Sequence, residues 1–413
     1  MNDTSLPAAV AQARGPAFRR LLLAGRDDFW RLWFVGLVTF VVRWLETIAI
    51  GIVVYQRTGS AFLVAMMTML RILPMGLFGA FLGALAERIE RRTTLIAVII
   101  LMGSTSFTLA VLAYAGRLEV WHLALAGFIN GIAWATDNPV RRVMIGEAVG
   151  SSQMGTAMSV DVGANNASRM IGPTIGGLLL AIFGIAGVFT LSVVLYMIAL
   201  AAACRVRYRN SFPPTSADSV LARIAEGLRL VRSDRRLIGV LVVTIIYNVF
   251  GWPFTSMVPV IGQDRLQLGP EGIGILASMD GFGAFVGAVL MAMWCRPQFY
   301  RRAYVGGVLL YMTMLTVFAL VPLPALAGSA LLFTGLSGAG FSIMQATLVY
   351  LSAPPDMRSR VLGVLSVCIG IGPIGFVALG WLADAIGAPW ATAATGVTGL
   401  LMMLLTRPLW RAI

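Results

Sequence analysis

The chain contains no lysine; all 31 of its Lys and Arg positions are arginine. That absence excludes a P-loop lysine and a Schiff-base lysine, so the chain is not itself an ATPase subunit or a pyridoxal enzyme. Histidine occurs once, as His122. One His and three distant cysteines, Cys204, Cys295 and Cys368, cannot build a usual zinc or haem site unaided. The cysteines sit in or beside apolar runs, as reduced packing thiols do, rather than as a disulfide framework. No cofactor and no metal are expected. No His, Cys or Ser constellation with catalytic spacing is visible, so an enzyme is not expected either. Charge itself is scarce: 12% of residues against about 25% in a soluble globular chain. With 58% hydrophobic residues and a mean hydropathy of +0.86, the chain reads as a membrane protein.

What is present is a succession of apolar runs. A spanning helix needs about 20 apolar residues. Spans are expected near 29–55, 60–85, 93–115, 119–140, 154–181 and 186–204, then near 237–260, 271–295, 303–321, 326–352, 361–383 and 388–406. The first 28 residues are polar and Arg-bearing, with no apolar core or small-residue cleavage site, so a signal peptide is not expected there. An Arg-rich, amphipathic segment, 205–236, separates the two sets of six. The expected layout is an N-terminal tail (1–28), a six-helix bundle (29–204), a linker with an amphipathic helix (205–236), a second six-helix bundle (237–406) and a short tail (407–413). The fold class is all-α, twelve transmembrane helices in two halves.

The arginines test this layout. If the N-terminus is cytoplasmic, 24 of the 31 lie in inside segments and only Arg57, Arg117 and Arg265 lie outside; Arg31, Arg43, Arg71 and Arg169 fall within spans. Such a bias places both termini inside. The net charge of +13 is therefore topology. Spread over short loops, it offers no surface to a nucleic acid. The chain also repeats itself: Ile171-Gly172-Pro173 in span five recurs as Ile371-Gly372-Pro373 in span eleven. Parallel repeats of this kind are common in secondary transporters.

The loop between spans two and three reads Gly83-Ala84-Leu85-Ala86-Glu87-Arg88-Ile89-Glu90-Arg91-Arg92. It resembles the signature loop of the major facilitator superfamily, G-x-L-A-D-R-x-G-R-R, departing from it at Glu87 and Glu90. The resemblance covers the whole chain, although the equivalent loop of the second half keeps only charge, at Arg296, Arg301 and Arg302. It implies a conformational latch that holds the halves in the outward-facing form. Gly83, Glu87, Arg88, Arg91 and Arg92 would form it, with Asp137 at the inner end of span four as the acid that pairs with Arg91. Gly172-Pro173-Thr174-Ile175-Gly176-Gly177 looks like the end of the antiporter motif of the superfamily's drug/proton antiporters, with Ser159 and Ser168 where that motif has Gly. Asn165-Asn166-Ala167-Ser168-Arg169 and Tyr55-Gln56-Arg57-Thr58-Gly59-Ser60-Ala61 resemble the subgroup of siderophore exporters and macrolide efflux proteins.

Charge in hydrocarbon costs several kcal/mol unless paired or facing a cavity, so each ionisable residue in a span is a functional candidate. Arg43 and Glu46 are three apart on one helical face and could equally form a structural ion pair. Arg71 lies at similar depth. Asp161, Asn165 and Arg169 share a face of span five, although Asp161 could also be a loop-end cap. Asn130, Trp134 and Asp137 form a stripe in span four, and Asp280 stands out in the second half. Glu46 is the expected proton carrier, with Arg43 and Arg71 as tuners and Asp161 or Asp280 as second choices. The expected substrate cavity comprises Asn130, Trp134, Asn165, Arg169, Tyr247, Asn248, Trp252, Phe341 and Gln345, its aromatics suited to an amphiphile. Gly251 and Pro253 should break span seven. His122 reads as an interface residue. Three arginines of the first half, Arg43, Arg71 and Arg169, face two acids, which favours an acid-bearing substrate over a fixed cation.

The expected protein is a monomeric, multi-pass transporter of a bacterial inner membrane. Its partners are the lipid bilayer, protons and a small amphiphilic substrate, which it exports. Uptake or lysolipid flipping on the same fold, and a non-transporting membrane receptor, are the alternatives.

Overall fold

The computed structural model describes residues 27–88, 90–150, 153–207, 226, 228–232, 234–354, 357–411 and 413, without the side chains of 79–88 and 359. The N-terminal tail and most of the 205–236 linker lie outside these residues. So do the surroundings of Gly83 and the side chains of Glu87 and Arg88.

The first half begins with α1 (Asp27–Thr58), α2 (Ala61–Arg88), α3 (Arg91–Tyr114) and α4 (Val120–Val149). A helical run Met154–Cys204 follows, broken at Gly184, where φ is 66°. Only glycine enters that region without strain, and the break yields two spans, α5 (154–183) and α6 (185–204). In the second half, α7 is composite. An α-helical piece (Arg235–Ile246) leads into a π turn (Tyr247–Gly251), a 3-10 turn (Trp252–Ser256) and a last piece (Val258–Asp264). Pro253 and Pro259 lack the amide that a regular helix needs, so the break expected at Gly251 and Pro253 is there. Then come α8 (Pro270–Trp294), α9 (Tyr300–Leu320) and α10 (Pro324–Ser352). In α11, Arg358–Gly370 and Gly372–Ile386 are joined at Ile371; α12 (Ala388–Leu405) is last.

Among the described residues, ten stretches are long and apolar enough, by length and composition alone, to cross a membrane. One of them holds both α5 and α6, and α4, too polar on average to qualify, completes the twelve. Here the structure corrects the sequence layout. Span four does not end at 140 but runs to Val149, so Arg141 and Arg142 belong to a helix rather than to a loop.

The repeat has a structural counterpart. Gly172 of α5 packs on α1, where an added Cβ would lie 2.7 Å from Cβ of Trp44. Gly372 of α11 packs on α7, where a Cβ would lie 3.4 Å from the Trp252 indole. Each glycine-proline helix thus rests on the first helix of its own half. Each then turns on a single positive-φ glycine, Gly184 or Gly387.

The halves meet at the end of the bundle away from the chain termini, called the distal end. Glycines carry that contact. A Cβ on Gly177 of α5 would lie 3.0 Å from the Cα of Gly274 on α8, and one on Gly51 of α1 would lie 3.0 Å from Pro259. A Cβ on Gly380 of α11 would lie 3.0 Å from the Cα of Phe62 on α2. Small residues let helix backbones approach this closely inside a membrane.

Candidate functional site

The centre of the molecule is a cavity between the halves. About 750 Å³ lies between its walls, open solvent included. The first half contributes Arg43, Trp44 and Thr47 from α1, Thr68 and Arg71 from α2, and Arg169 and Pro173 from α5. The second half contributes Trp252, Phe254 and Val258 from α7, and Ala277 and Asp280 from α8. Trp44 and Trp252 are the two residues on which the repeated glycines rest, so the repeat supplies both halves of the cavity with an indole.

The charges are sorted by half. Arg169 donates to Asp280 Oδ2 in an ion pair that crosses from α5 to α8. Arg71 lies 3.9 Å from Glu46 Oε2 and donates to Thr47 Oγ1 at 3.0 Å. Glu46 is fully buried, and its Oε1 accepts from Ser106 of α3 at 2.8 Å. The pairing of Arg43 with Glu46 that their spacing allows is not made. Glu46 turns towards α2 and α3, whereas the Arg43 guanidinium lies over the Trp134 ring at 3.7 Å and near Trp44 at 5.7 Å. Helical spacing brings two side chains to one face, but which neighbour each one meets depends on the helices packed against that face.

A second cluster lies nearer the terminus end. Arg141 of α4 is fully buried between two acids. Its Nη1 donates to Asp161 Oδ1 at 2.5 Å, and its Nε donates to Asp137 Oδ2 at 3.5 Å. Arg142 approaches the other Asp161 oxygen at 3.5 Å. The Arg141 guanidinium also stacks on Phe40 of α1, 4.9 Å from the ring, in space left by the missing side chain of Gly36. This cluster bolts α1, α4 and α5 together, away from the cavity. Asp161 is therefore neither a loop-end cap nor a cavity acid. In the cavity, the acid opposing the arginines is Asp280, with Glu46 behind Arg71. Arg141 is hidden in the sequence because two adjacent arginines at the end of an apolar run look like a loop. The Asp137–Arg141 spacing of four was the available signal.

The remaining expected residues scatter. Tyr247 and Phe341 stack on one another at 3.7 Å, inside the second half. Gln345 donates to Thr244 Oγ1 at 3.1 Å, and Asn248 to the Thr244 carbonyl at 2.9 Å. Those four hold the second half together, while Trp252 and Arg169 line the cavity. Asn130 is buried in α4 and Asn165 half-buried in α5. Gly172 and Gly176 pack on α1, and Gly177 on α8 across the halves. His122 caps α4 by accepting the Glu119 amide at 2.9 Å. At the terminus end, Arg91 is paired with Glu147 at 2.6 Å and Asp137 with Arg141, in place of the Arg91–Asp137 pair that the latch resemblance implies. Arg92 donates to the Cys204 carbonyl at 2.8 Å.

The string Tyr55–Ala61, singled out by resemblance, helps to close the distal end. Tyr55 OH donates to Asp264 of α7, and Ser60 Oγ to Asp384 of α11 at 2.7 Å. The other Asp384 oxygen accepts the Phe62 amide at 3.0 Å. Between α5 and α8, Thr174 and Ser278 share a hydroxyl hydrogen bond of 2.7 Å.

Twelve helices in two similar halves, enclosing a charged cavity near mid-depth, define a membrane transporter of the major facilitator type. The family model described as transmembrane secretion effector matches residues 22–410, and the chain belongs to that family of the major facilitator superfamily. Macrolide efflux protein A of Streptococcus pyogenes is 22% identical over 369 residues, covering 87% of this chain and 90% of the relative. The multidrug efflux pump Tap of Mycolicibacterium fortuitum is 25% identical over 364 residues, covering 86% and 88%. The staphyloferrin A transporter of Staphylococcus aureus is 21% identical, covering 87% and 90%. Among solved structures, a bacterial homologue of the lysosomal transporter Spinster, inward-facing and unoccupied, aligns with a TM-score of 0.71 at 13% identity, covering 96% of this chain and 97% of that one. A POT family transporter aligns at 0.75 and 12% identity, covering 92% and 95%.

Proposed function

We propose that the chain exports a small amphiphilic molecule across a bacterial inner membrane in exchange for protons, by alternating access to the central cavity. The observation that carries this is the cavity itself: it lies near mid-depth between two similar halves and is sealed at one end by cross-half contacts. The arginine distribution supports placing both termini in the cytoplasm, so the sealed distal end faces outward and this conformation faces inward. The halves would then rock about the α5–α8 and α2–α11 contacts, opening the distal end. Gly83, Glu87, Arg88, Arg91 and Arg92 remain the proposed latch of the outward-facing state. Arg91 is held by Glu147 in this conformation. The names of two relatives, a macrolide efflux protein and a multidrug efflux pump, support export, and the proposed unit is a monomer.

Glu46 is the proposed proton carrier. It is buried beside the cavity, and a single arginine, Arg71, bridges it to the space where substrate would sit. Protonation would release Arg71 from Glu46; deprotonation would recapture it. Asp280, which faces Arg169 across the halves, is the second proposed proton site.

Inverted vesicles from cells that overproduce the chain test the direction and the coupling. With an imposed inward-acid gradient they should accumulate at least one member of a panel of labelled macrolides, siderophores and lysolipids, and a protonophore should abolish that. Gradient-dependent loss from the vesicles would establish uptake instead. No gradient-dependent movement of any member would favour a non-transporting role.

A further inference from the structure

Three guanidinium groups enter the cavity, and two of them already hold an acid. Arg71 is paired with Glu46 and Arg169 with Asp280. Arg43 is not paired. Among the described residues its guanidinium forms no hydrogen bond and no ion pair; its neighbours are the faces of Trp134 and Trp44. A ring under the guanidinium meets its flat face and leaves the N–H donors in its plane unfilled. The indole Nε1 donors of Trp44 and Trp134 likewise find no acceptor among the described residues. One side of the cavity therefore presents a cation and nearby donors with nothing to receive them.

The opposite wall has a different character. Trp252, Phe254, Val258 and Ala277 make it apolar, and its one charge, Asp280, is held by Arg169. With both acids ionised, three arginines against two carboxyls leave one positive charge in excess, and the unpaired group is Arg43. An arginine at this depth is costly unless it is paired or faces a cavity; Arg43, unpaired, faces the cavity, where an anion would meet it. Glu46, three residues along the same helix, is the internal anion that could have done so. The fold turns it instead towards Ser106 and Arg71.

We propose that Arg43 is an oxyanion subsite, and that the cavity takes a singly charged carboxylate whose apolar or aromatic body lies against the two indoles, Trp44 and Trp252. This rests on the proposal that the cavity is the transport site. The arginine fork matches the two oxygens of a carboxylate, which a lysine would meet only as a point charge. The α5–α8 pair and the Arg71–Glu46 pair complete the wall without competing for the ligand.

Binding of three matched probes to the purified protein in lipid nanodiscs tests this: 2-naphthoate, neutral 2-naphthalenemethanol and 2-naphthylmethylammonium, followed by calorimetry. Naphthoate should bind about tenfold or more tightly than the alcohol, as a charge-assisted hydrogen bond predicts. Arg43→Gln should erase that preference, weakening naphthoate far more than the alcohol. Arg43→Lys should keep part of it, and carries the test if Arg43→Gln cannot be purified: loss specific to naphthoate supports the proposal, and equal loss for all probes overturns it. A preference for the ammonium, a naphthoate preference that survives Arg43→Gln, or no naphthoate binding at the highest soluble concentration also overturns it. Because binding is scored without transport, an exporter of neutral compounds would pass the vesicle assay and fail here. A non-transporting carboxylate binder would do the reverse.

Discussion

Arg169 of α5 and Asp280 of α8 are 111 residues apart in sequence and form an ion pair that joins the two halves of the molecule across the central cavity. The backbones approach beside it: an added Cβ on Gly281 would lie 2.6 Å from the amide nitrogen of Met170. The pair therefore sits on the line about which the halves would rock.

Breaking that pair should cost both stability and transport. Removing one partner of a fully buried pair costs about 3–5 kcal/mol, less where solvent reaches one group, as it does Arg169. Asp280→Asn and Arg169→Gln should each lower stability in detergent by about 1–3 kcal/mol. The double variant should regain much of the stability but not the transport. Equal stability and transport for all three would show that the pair carries no weight.

Arg141 makes a sharper case. It is fully buried between Asp137 and Asp161, so Arg141→Leu strands two acids. The expected loss is about 3–5 kcal/mol. Combining it with Asp137→Asn and Asp161→Asn should restore most of that, because the uncompensated charge is gone. Thermal unfolding of the three proteins in one detergent decides it, and an Arg141→Leu protein as stable as the parent would refute the assigned geometry.

Gly177→Val should hold the distal end open. The added side chain meets the backbone of Gly274, which cannot yield as a flexible side chain does. Spin labels at Trp121 and Leu323, exposed positions near the distal end of different halves, should move apart relative to the parent. An unchanged distance distribution would mean that α5 and α8 are not part of the seal.

Glu46→Gln mimics the protonated acid and removes the partner of Arg71. It should abolish proton-driven accumulation while exchange of substrate across the membrane persists. If Glu46→Gln pumps like the parent, Glu46 is structural, and Asp280 becomes the acid to examine.

The helices were legible because their signal is local: an apolar run of the right length needs no knowledge of its neighbours. The repeat was legible for the same reason, as two Ile-Gly-Pro strings in matched positions. Partners were not. Glu46 lies three residues from Arg43 but meets Ser106, 60 residues on, and Arg71. Arg169 was identified as a cavity residue and Asp280 as a charged outlier, yet nothing in the chain announced that they touch. Arg141 was hidden by the rule that served everywhere else. Arginines at the end of an apolar run usually mark a loop, and here the helix carries on for two turns because two buried acids hold the charge. The aromatics of α7 and α10 erred the other way. Tyr247 and Phe341 look like ligand-binding surface, but they fill the second half, since membrane-protein cores use such side chains for packing as well.

Alternating access can be tested without knowing the substrate. In a chain whose three native cysteines are replaced, Thr68→Cys puts one thiol on the cavity wall. A membrane-impermeant thiol reagent should label it in inside-out vesicles and leave it unlabelled in right-side-out ones. Adding Gly177→Val should reverse the preference. Labelling from the outer face alone in the otherwise unaltered chain, or no change of side with Gly177→Val, would contradict the account.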